Sequence, residues 1–220
     1  MHHIIKITPE LLLKAYRFGV FPMAESKDDK RIMFIDPDHR GIIPLDAFHI
    51  PRKLKKLVKK RFFEVTYNQA FHSILAGCAE INKKRKNTWI NLEIMELYQR
   101  LFDQGKCHSV EVWLKNELAG GLYGVALGGA FFGESMYSIY PNASKVGLVH
   151  LIAALRKGGF SLLDSQFITE HLSQFGAIEI TRDEYHEALS KALQQTGIFP
   201  PVGNSPDLVH EFLQFKTQTS

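Results

Sequence analysis

Apolar and polar positions alternate with two different periods along this chain, and the changes of period divide it into elements. Residues 8–18 carry apolar side chains at helical spacing behind a Thr-Pro start, with Thr8 as cap, Pro9 in the first turn and Gly19 closing the segment. Phe21-Pro22-Met23, a polar loop over 25–31 and a short apolar stretch lead to Asp36-Pro37-Asp38-His39-Arg40-Gly41. Residues 63–67 alternate as a strand, and helices are predicted over 68–78 and 92–102. From His108 the period shortens to two. Strands are predicted at 109–114, 118–126 and 130–137, parted by turns at Asn116-Glu117 and Gly128-Gly129. A helix over 144–157 stopped by Gly158-Gly159, a strand over 161–167 and a helix over 182–195 follow, and no role is assigned to 203–220. Periodicity alone supports a mixed α/β chain and nothing narrower.

A length of 220 residues allows one large domain, or a small lobe beside a main one, with a core that needs no staples. No segment offers the roughly 18 uncharged apolar residues of a membrane span, so no membrane association and a cytoplasmic location are expected. Cys78 and Cys107 are too few for a disulfide framework, form no Cys-x-x-Cys pair and are expected as reduced thiols. The ten histidines are scattered, and His2-His3 lacks supporting acids or cysteines, so no metal site is expected.

The net charge of +4 is modest, but its distribution is not. Arg52, Lys53, Lys55, Lys56, Lys59, Lys60 and Arg61 put seven cations in ten residues without an intervening acid, and Lys83-Lys84-Arg85-Lys86 follows. At helical spacing Leu54, Leu57 and Val58 share an inward face and splay the cations across the other. A solvated helix face is the plain explanation. Mutual repulsion of so many like charges favours a polyanionic partner instead, and a nucleic-acid backbone fits best, bound through phosphates without sequence readout.

The densest chemistry lies between Gly120 and Gln166. It comprises Gly120-Gly121-Leu122-Tyr123-Gly124, then Phe132-Gly133-Glu134-Ser135-Met136-Tyr137-Ser138, Asn142-Ala143-Ser144-Lys145 and Asp164-Ser165-Gln166. Polar groups set into apolar strands cost roughly 1 to 3 kcal/mol each when unpaired, so a chain carrying several uses them. Asp164 and Gln166, two apart on a strand, would share a face with bases roughly 7 Å apart and could converge on one substrate. Equally, Asp164 can satisfy a backbone turn while Gln166 packs at a strand end. Glu134, among aromatic and glycine neighbours, calls for a cation. Lys145 or Arg156 could supply one internally.

These four motifs, in order and spacing, resemble those of the leucyl/phenylalanyl-tRNA-protein transferase family, and the resemblance runs from about Lys14 to Tyr185. It implies an α+β protein: a GNAT-like domain over 62–220 with a mixed, largely antiparallel sheet and helices, and a smaller N-terminal α+β lobe over 1–61 carrying the basic helix. The boundary is expected within 61–87. It further implies an enzyme without cofactors that moves Leu or Phe from leucyl-tRNA or phenylalanyl-tRNA to proteins with N-terminal Arg or Lys, creating an N-end-rule degradation signal, and works as a monomer. Asp164 corresponds to the family's acid and would orient Gln166, which would hydrogen-bond the reacting amine or carbonyl. Glu134 would receive the cationic acceptor. Leu122, Gly133 and Met136 match the aminoacyl pocket, where a flexible Met suits two side-chain shapes. Met23, Tyr98, Leu151 and Trp89 match positions near the tRNA 3′-adenosine, with core packing favoured for Trp89. Asn142 and Ser144 are expected to cap the following helix.

The chain departs from the family pattern in two places. Met23 and Leu151 stand where aromatics are common, offering an apolar slot in place of the stacking that contributes roughly 1 to 3 kcal/mol per base. Phe34-Ile35-Asp36-Pro37-Asp38-His39-Arg40 replaces a Trp-rich version of that segment. Other readings are a leucyl-transferase with acidic acceptors, a GNAT enzyme using acyl-CoA and a non-catalytic RNA-binding module. No pyrophosphate loop of the Gln/Arg-x-x-Gly-x-Gly/Ala type precedes a helix, which argues against acyl-CoA. The RNA-binding module leaves Glu134, Asp164 and Gln166 unexplained.

Overall fold

Thr8 begins the first helix as its sequence demands: its hydroxyl oxygen accepts the Leu11 N–H, and Pro9 fills the first turn, where no N–H is needed. The structure is a computed structural model that describes residues 7–29, 31–81 and 86–218; His2, His3 and the Lys83-Lys84-Arg85 part of the second basic run lie outside them. Along the chain run α1 (Pro9–Arg17), β1 (Phe21–Met23), β2 (Met33–Ile35), β3 (His39–Ile42), α2 (Arg52–Lys59), β4 (Glu64–Tyr67), α3 (Phe71–Ala79) and α4 (Leu92–Asp103). There follow β5 (Cys107–Leu114), β6 (Glu117–Leu127), β7 (Ala130–Ser138), α5 (Ala143–Lys157), β8 (Leu162–Gln166), α6 (Glu170–Ser173), β9 (Ile178–Thr181), α7 (Arg182–Leu193) and α8 (Ser205–Gln218).

Seven strands form one sheet in the order β4-β5-β6-β7-β8-β3-β9, and β1 pairs with β2 apart from it. β4 to β7 are an antiparallel meander, β8 joins β7 in parallel through α5, and β3 and β9 continue antiparallel beyond it. Adjacent strand residues face opposite layers, as Phe131 and Phe132 show. Phe131 joins α2, α5 and α8 in one core, and Phe132 joins α1, α3, α4 and α7 in the other.

Residues 39–61, expected in a smaller lobe, contribute β3 to the large sheet and α2 to the α5 face. The N-terminal segment therefore shares its cores with the main sheet. α8 occupies the segment that received no role. It buries Leu208, Val209, Phe212 and Leu213 against α5 and β4, and its Ser205 hydroxyl lies 2.6 Å from His150 Nδ1. Among the described residues no helix is long and apolar enough to cross a membrane.

Candidate active site

β7 and β8 pair over only three residues, from Ala130↔Leu162 to Phe132↔Asp164, and then part. A cavity of about 370 Å³ opens where they separate. Leu122 and Met136, directly opposed across β6 and β7, line it together with Gly133, Leu151, Met23 and Trp89. Trp89, expected to pack in the core, is half-buried and forms part of this wall; its ring meets Tyr98 edge-on at 6.5 Å. The pocket residues and three of the four adenosine-site residues thus come to one place.

Tyr98 is the exception and corrects the expectation. It is fully buried, and its hydroxyl donates to Glu134 Oε2 at 2.7 Å, so it supports a site residue and presents no group to a nucleotide. Tyr16 donates to Glu134 Oε1 at 2.6 Å from the opposite side. Glu134 reaches both because β7 bulges: Tyr123 pairs with Ser135 and Gly124 with Gly133, leaving Glu134 as the extra residue of the strand. Burial pushes its carboxyl up to about 7, against the lowering pull of both hydroxyl donors and of Arg40. Both tyrosines are pushed well above their ordinary range, first by burial and then by Glu134, so they remain donors. Neither internal cation considered for Glu134 reaches it: Lys145 bonds Gln174, and Arg156 bonds Asp46.

Asp164 is completely buried and accepts four hydrogen bonds. Arg40 supplies two, Nε to Oδ1 at 2.9 Å and Nη2 to Oδ2 at 2.6 Å, and Tyr185 Oη adds a third at 2.8 Å. The fourth comes from the Gln166 backbone N–H at 2.8 Å. Arg40 itself lies between the rings of Phe21 and Tyr185, 4.4 Å from each centroid, and donates to the Gly19 carbonyl. Burial opposes its charge, but Asp164 outweighs that and raises its pKa. Fixed donors thus engage the lone pairs of Asp164, and one of them is the backbone of Gln166.

The strand is irregular between these two residues, unlike the straight strand that the sequence suggests. Ile42 pairs with Asp164 and Gly41 with Gln166, so Ser165 is a second bulge. Gln166 has φ of 59°, and the Phe167 N–H closes a three-residue turn onto the Ser165 carbonyl at 2.7 Å. A left-handed backbone on a non-glycine residue is strained, and such strain collects at functional sites. Gly41 makes room for it, since a Cβ there would fall 2.7 Å from the Phe167 carbonyl carbon. The Gln166 side chain lies in the cavity wall, and its buried Nε2 has no hydrogen-bond partner among the described residues.

α2 forms as its pattern suggests, with Leu54 and Val58 buried and Leu57 half-buried. Arg52, Lys53, Lys56, Lys59, Lys60 and Arg61 are exposed and Lys55 is half-buried; none lies within ion-pair distance of an acid among the described residues. Capping of α5 differs from expectation. Asn142 occupies the cap position with φ of 70° but makes no capping bond, and Ser138 accepts the Ser144 N–H at 2.9 Å instead.

The sequence model of the leucyl/phenylalanyl-tRNA protein transferase family matches residues 42–190, and that of the family's N-terminal domain matches 6–38. This chain belongs to that family. It is 54% identical over 213 residues to the leucyl/phenylalanyl-tRNA–protein transferase of Maricaulis maris, covering 96% of this chain and 97% of that one. The Paramagnetospirillum magneticum protein of the same name is 53% identical over 88% of this chain and 92% of its own. The Nitrobacter winogradskyi protein is 56% identical over 86% and 84%. Among solved structures, FemX superposes with a TM-score of 0.51 at 11% identity, covering 77% of this chain and 66% of that one. That likeness bears on fold alone and agrees with an α+β architecture built on a mixed sheet.

For this family member, sequence reasoning missed Tyr16, Arg40 and Tyr185. Tyr16 looked like one more apolar position on an amphipathic helix. Arg40 was noticed only as part of a divergent motif, although an arginine beside glycine in a short apolar stretch signals a buried partner. Tyr185 falls on the inner face of α7.

Proposed function

We propose that this protein transfers Leu or Phe from leucyl-tRNA or phenylalanyl-tRNA to the α-amine of proteins beginning with Arg or Lys, forming a peptide bond that marks them for degradation. The observation carrying the reading is its 54% identity, over nearly its whole length, to a leucyl/phenylalanyl-tRNA–protein transferase. The geometry supports the division of labour. The Leu or Phe side chain enters the apolar part of the cavity beside Leu122, Met136 and Leu151. Met23 and Trp89 flank the terminal adenosine. Gln166, locked by Asp164 and Arg40, offers its unpartnered amide to the ester carbonyl as charge develops there, an interaction that strengthens toward the transition state. Glu134 draws in the cationic acceptor and repels acidic ones. α2 holds the tRNA backbone through its open row of cations. Every proposed contact comes from one chain, so the reading needs no second copy.

The donor panel tests it. Purified protein is given leucyl-, phenylalanyl-, isoleucyl- and valyl-tRNA with a peptide beginning with Arg. Transfer from the first two, with the β-branched donors lower by about 10- to 200-fold, is expected from pocket shape. Equal transfer from all four would overturn the pocket assignment.

A further inference from the structure

Four oxygen atoms, the two of the Glu134 carboxyl and the hydroxyls of Tyr16 and Tyr98, close a ring through three contacts. Tyr16 Oη lies 2.6 Å from Glu134 Oε1, Tyr98 Oη lies 2.7 Å from Oε2, and the two hydroxyls are 2.6 Å from each other. Each separation is that of an O–H···O hydrogen bond, and each requires one proton. Two tyrosines supply two. With Glu134 ionised, one of the three contacts is an oxygen pair without a proton. With Glu134 protonated, three protons serve three contacts and the ring is complete. The site is thus shaped to accept one proton, and the bulge in β7 sets its carboxyl at the cavity where the acceptor amine must arrive.

We infer that Glu134, held by Tyr16 and Tyr98, takes the proton that the acceptor's α-ammonium must lose before it can attack. The inference rests on the proposed placement of the acceptor at Glu134. One N–H bond of the ammonium breaks and an O–H bond forms on Glu134. The freed nitrogen bonds to the ester carbonyl carbon, the bond to the ribose oxygen breaks, and that oxygen leaves with a second proton given up by the nitrogen. Glu134 then returns its proton to water. Asp164 cannot perform this task because four donors already occupy it, and the Gln166 amide is not basic. Tyr16 and Tyr98 are positioning residues that act through the carboxylate.

The charged and titratable groups around the ring are Tyr123 on β6, Cys107 on β5, Arg40 on β3 and Asp164 on β8. Arg40 is matched to Asp164, so among the described residues Glu134 has no cation of its own. Its elevated pKa of about 7 lies near working pH, where a general base is most effective.

Infrared titration of the full chain reads the ring directly. A carbonyl band of a neutral carboxylic acid should appear with a midpoint near 7, vanish in Glu134→Gln and move its midpoint in Tyr16→Phe. A spectrum without a band removed by Glu134→Gln overturns the inference, whether or not the protein turns over. In steady-state transfer to an Arg peptide, kcat should fall on the acid side with the same midpoint. Glu134→Gln should lower kcat at neutral pH by about 10²- to 10⁴-fold and remove that limb. If Glu134→Gln raises only the acceptor KM and leaves kcat and its acid limb intact, proton transfer is refuted while acceptor recognition survives. An unmoved midpoint in Tyr16→Phe would likewise overturn the ring as a unit.

Discussion

Arg40 and Asp164 form a fully buried pair joined by two hydrogen bonds of 2.9 and 2.6 Å, 124 residues apart in sequence. The pair ties β3 to β8, and the same carboxylate fixes the backbone of Gln166. Removing one member leaves the other charge buried and uncompensated. Arg40→Ala should destabilise the fold by about 3 to 5 kcal/mol, and Asp164→Ala by a similar amount. Arg40→Lys should recover only part of this, because an ammonium lacks the planar fork. Denaturant melts check all three.

Gln166 separates strain from chemistry. Glycine tolerates φ of 59° without cost, so Gln166→Gly should stabilise the fold by about 1 kcal/mol while abolishing the amide's contribution. Gln166→Ala should keep the strain and lower kcat by about 10² to 10³. Thermal melts beside single-turnover transfer rates distinguish the two.

Much of this fold was legible. The meander from β5 to β7 and helices α1, α4, α5 and α7 follow from hydrophobic periods long enough to register. β3 does not: His39-Arg40-Gly41-Ile42 has no alternation, and its place between β8 and β9 is decided by a partner in the last third of the chain. The bulges at Glu134 and Ser165 were invisible for a related reason, since a bulge depends on the register of the opposing strand. Asp164, Gln166 and Glu134, singled out by their motifs, line one cavity in the structure. The sequence could not reveal that Tyr98 serves Glu134, because a tyrosine's hydroxyl partner is set by tertiary packing.

Glu134 makes fold stability depend on pH. Its folded pKa of about 7 exceeds the ordinary 4.5, so between these values the native state binds more protons than the unfolded state and stability falls as pH rises. At about 1.4 kcal/mol per unit, the cost above neutrality is on the order of 3 kcal/mol at most. Glu134→Gln should stabilise the protein at neutral pH, with the gain disappearing on acidification through this window. His108 and His150 act oppositely. Burial lowers both to about 4 from 6.5, so their contribution is present above 6.5 and lost as pH falls toward 4. Melting temperature against pH for wild type and the Gln variant resolves the two trends.

On the proposed reading, the cations of α2 set the salt dependence of tRNA binding. Replacing Lys55, Lys56, Lys59 and Lys60 by Gln should raise the KM for aminoacyl-tRNA and flatten the log–log slope against salt by up to about 3, at roughly 0.7 to 0.9 per phosphate contact. The acid limb of kcat should stay put. An unchanged KM and slope would show that this face is only solvated.

The most direct test is transfer itself. Leucyl-tRNA carrying labelled leucine is mixed with the purified protein and peptides beginning with Arg, Lys, Asp, Glu or Ala, and label is measured on each. Label confined to the Arg and Lys peptides, and lost with Gln166→Ala under conditions where that variant is folded, is the result this account predicts. Label on the Asp or Glu peptides, or none on any peptide although the protein binds tRNA, would contradict it.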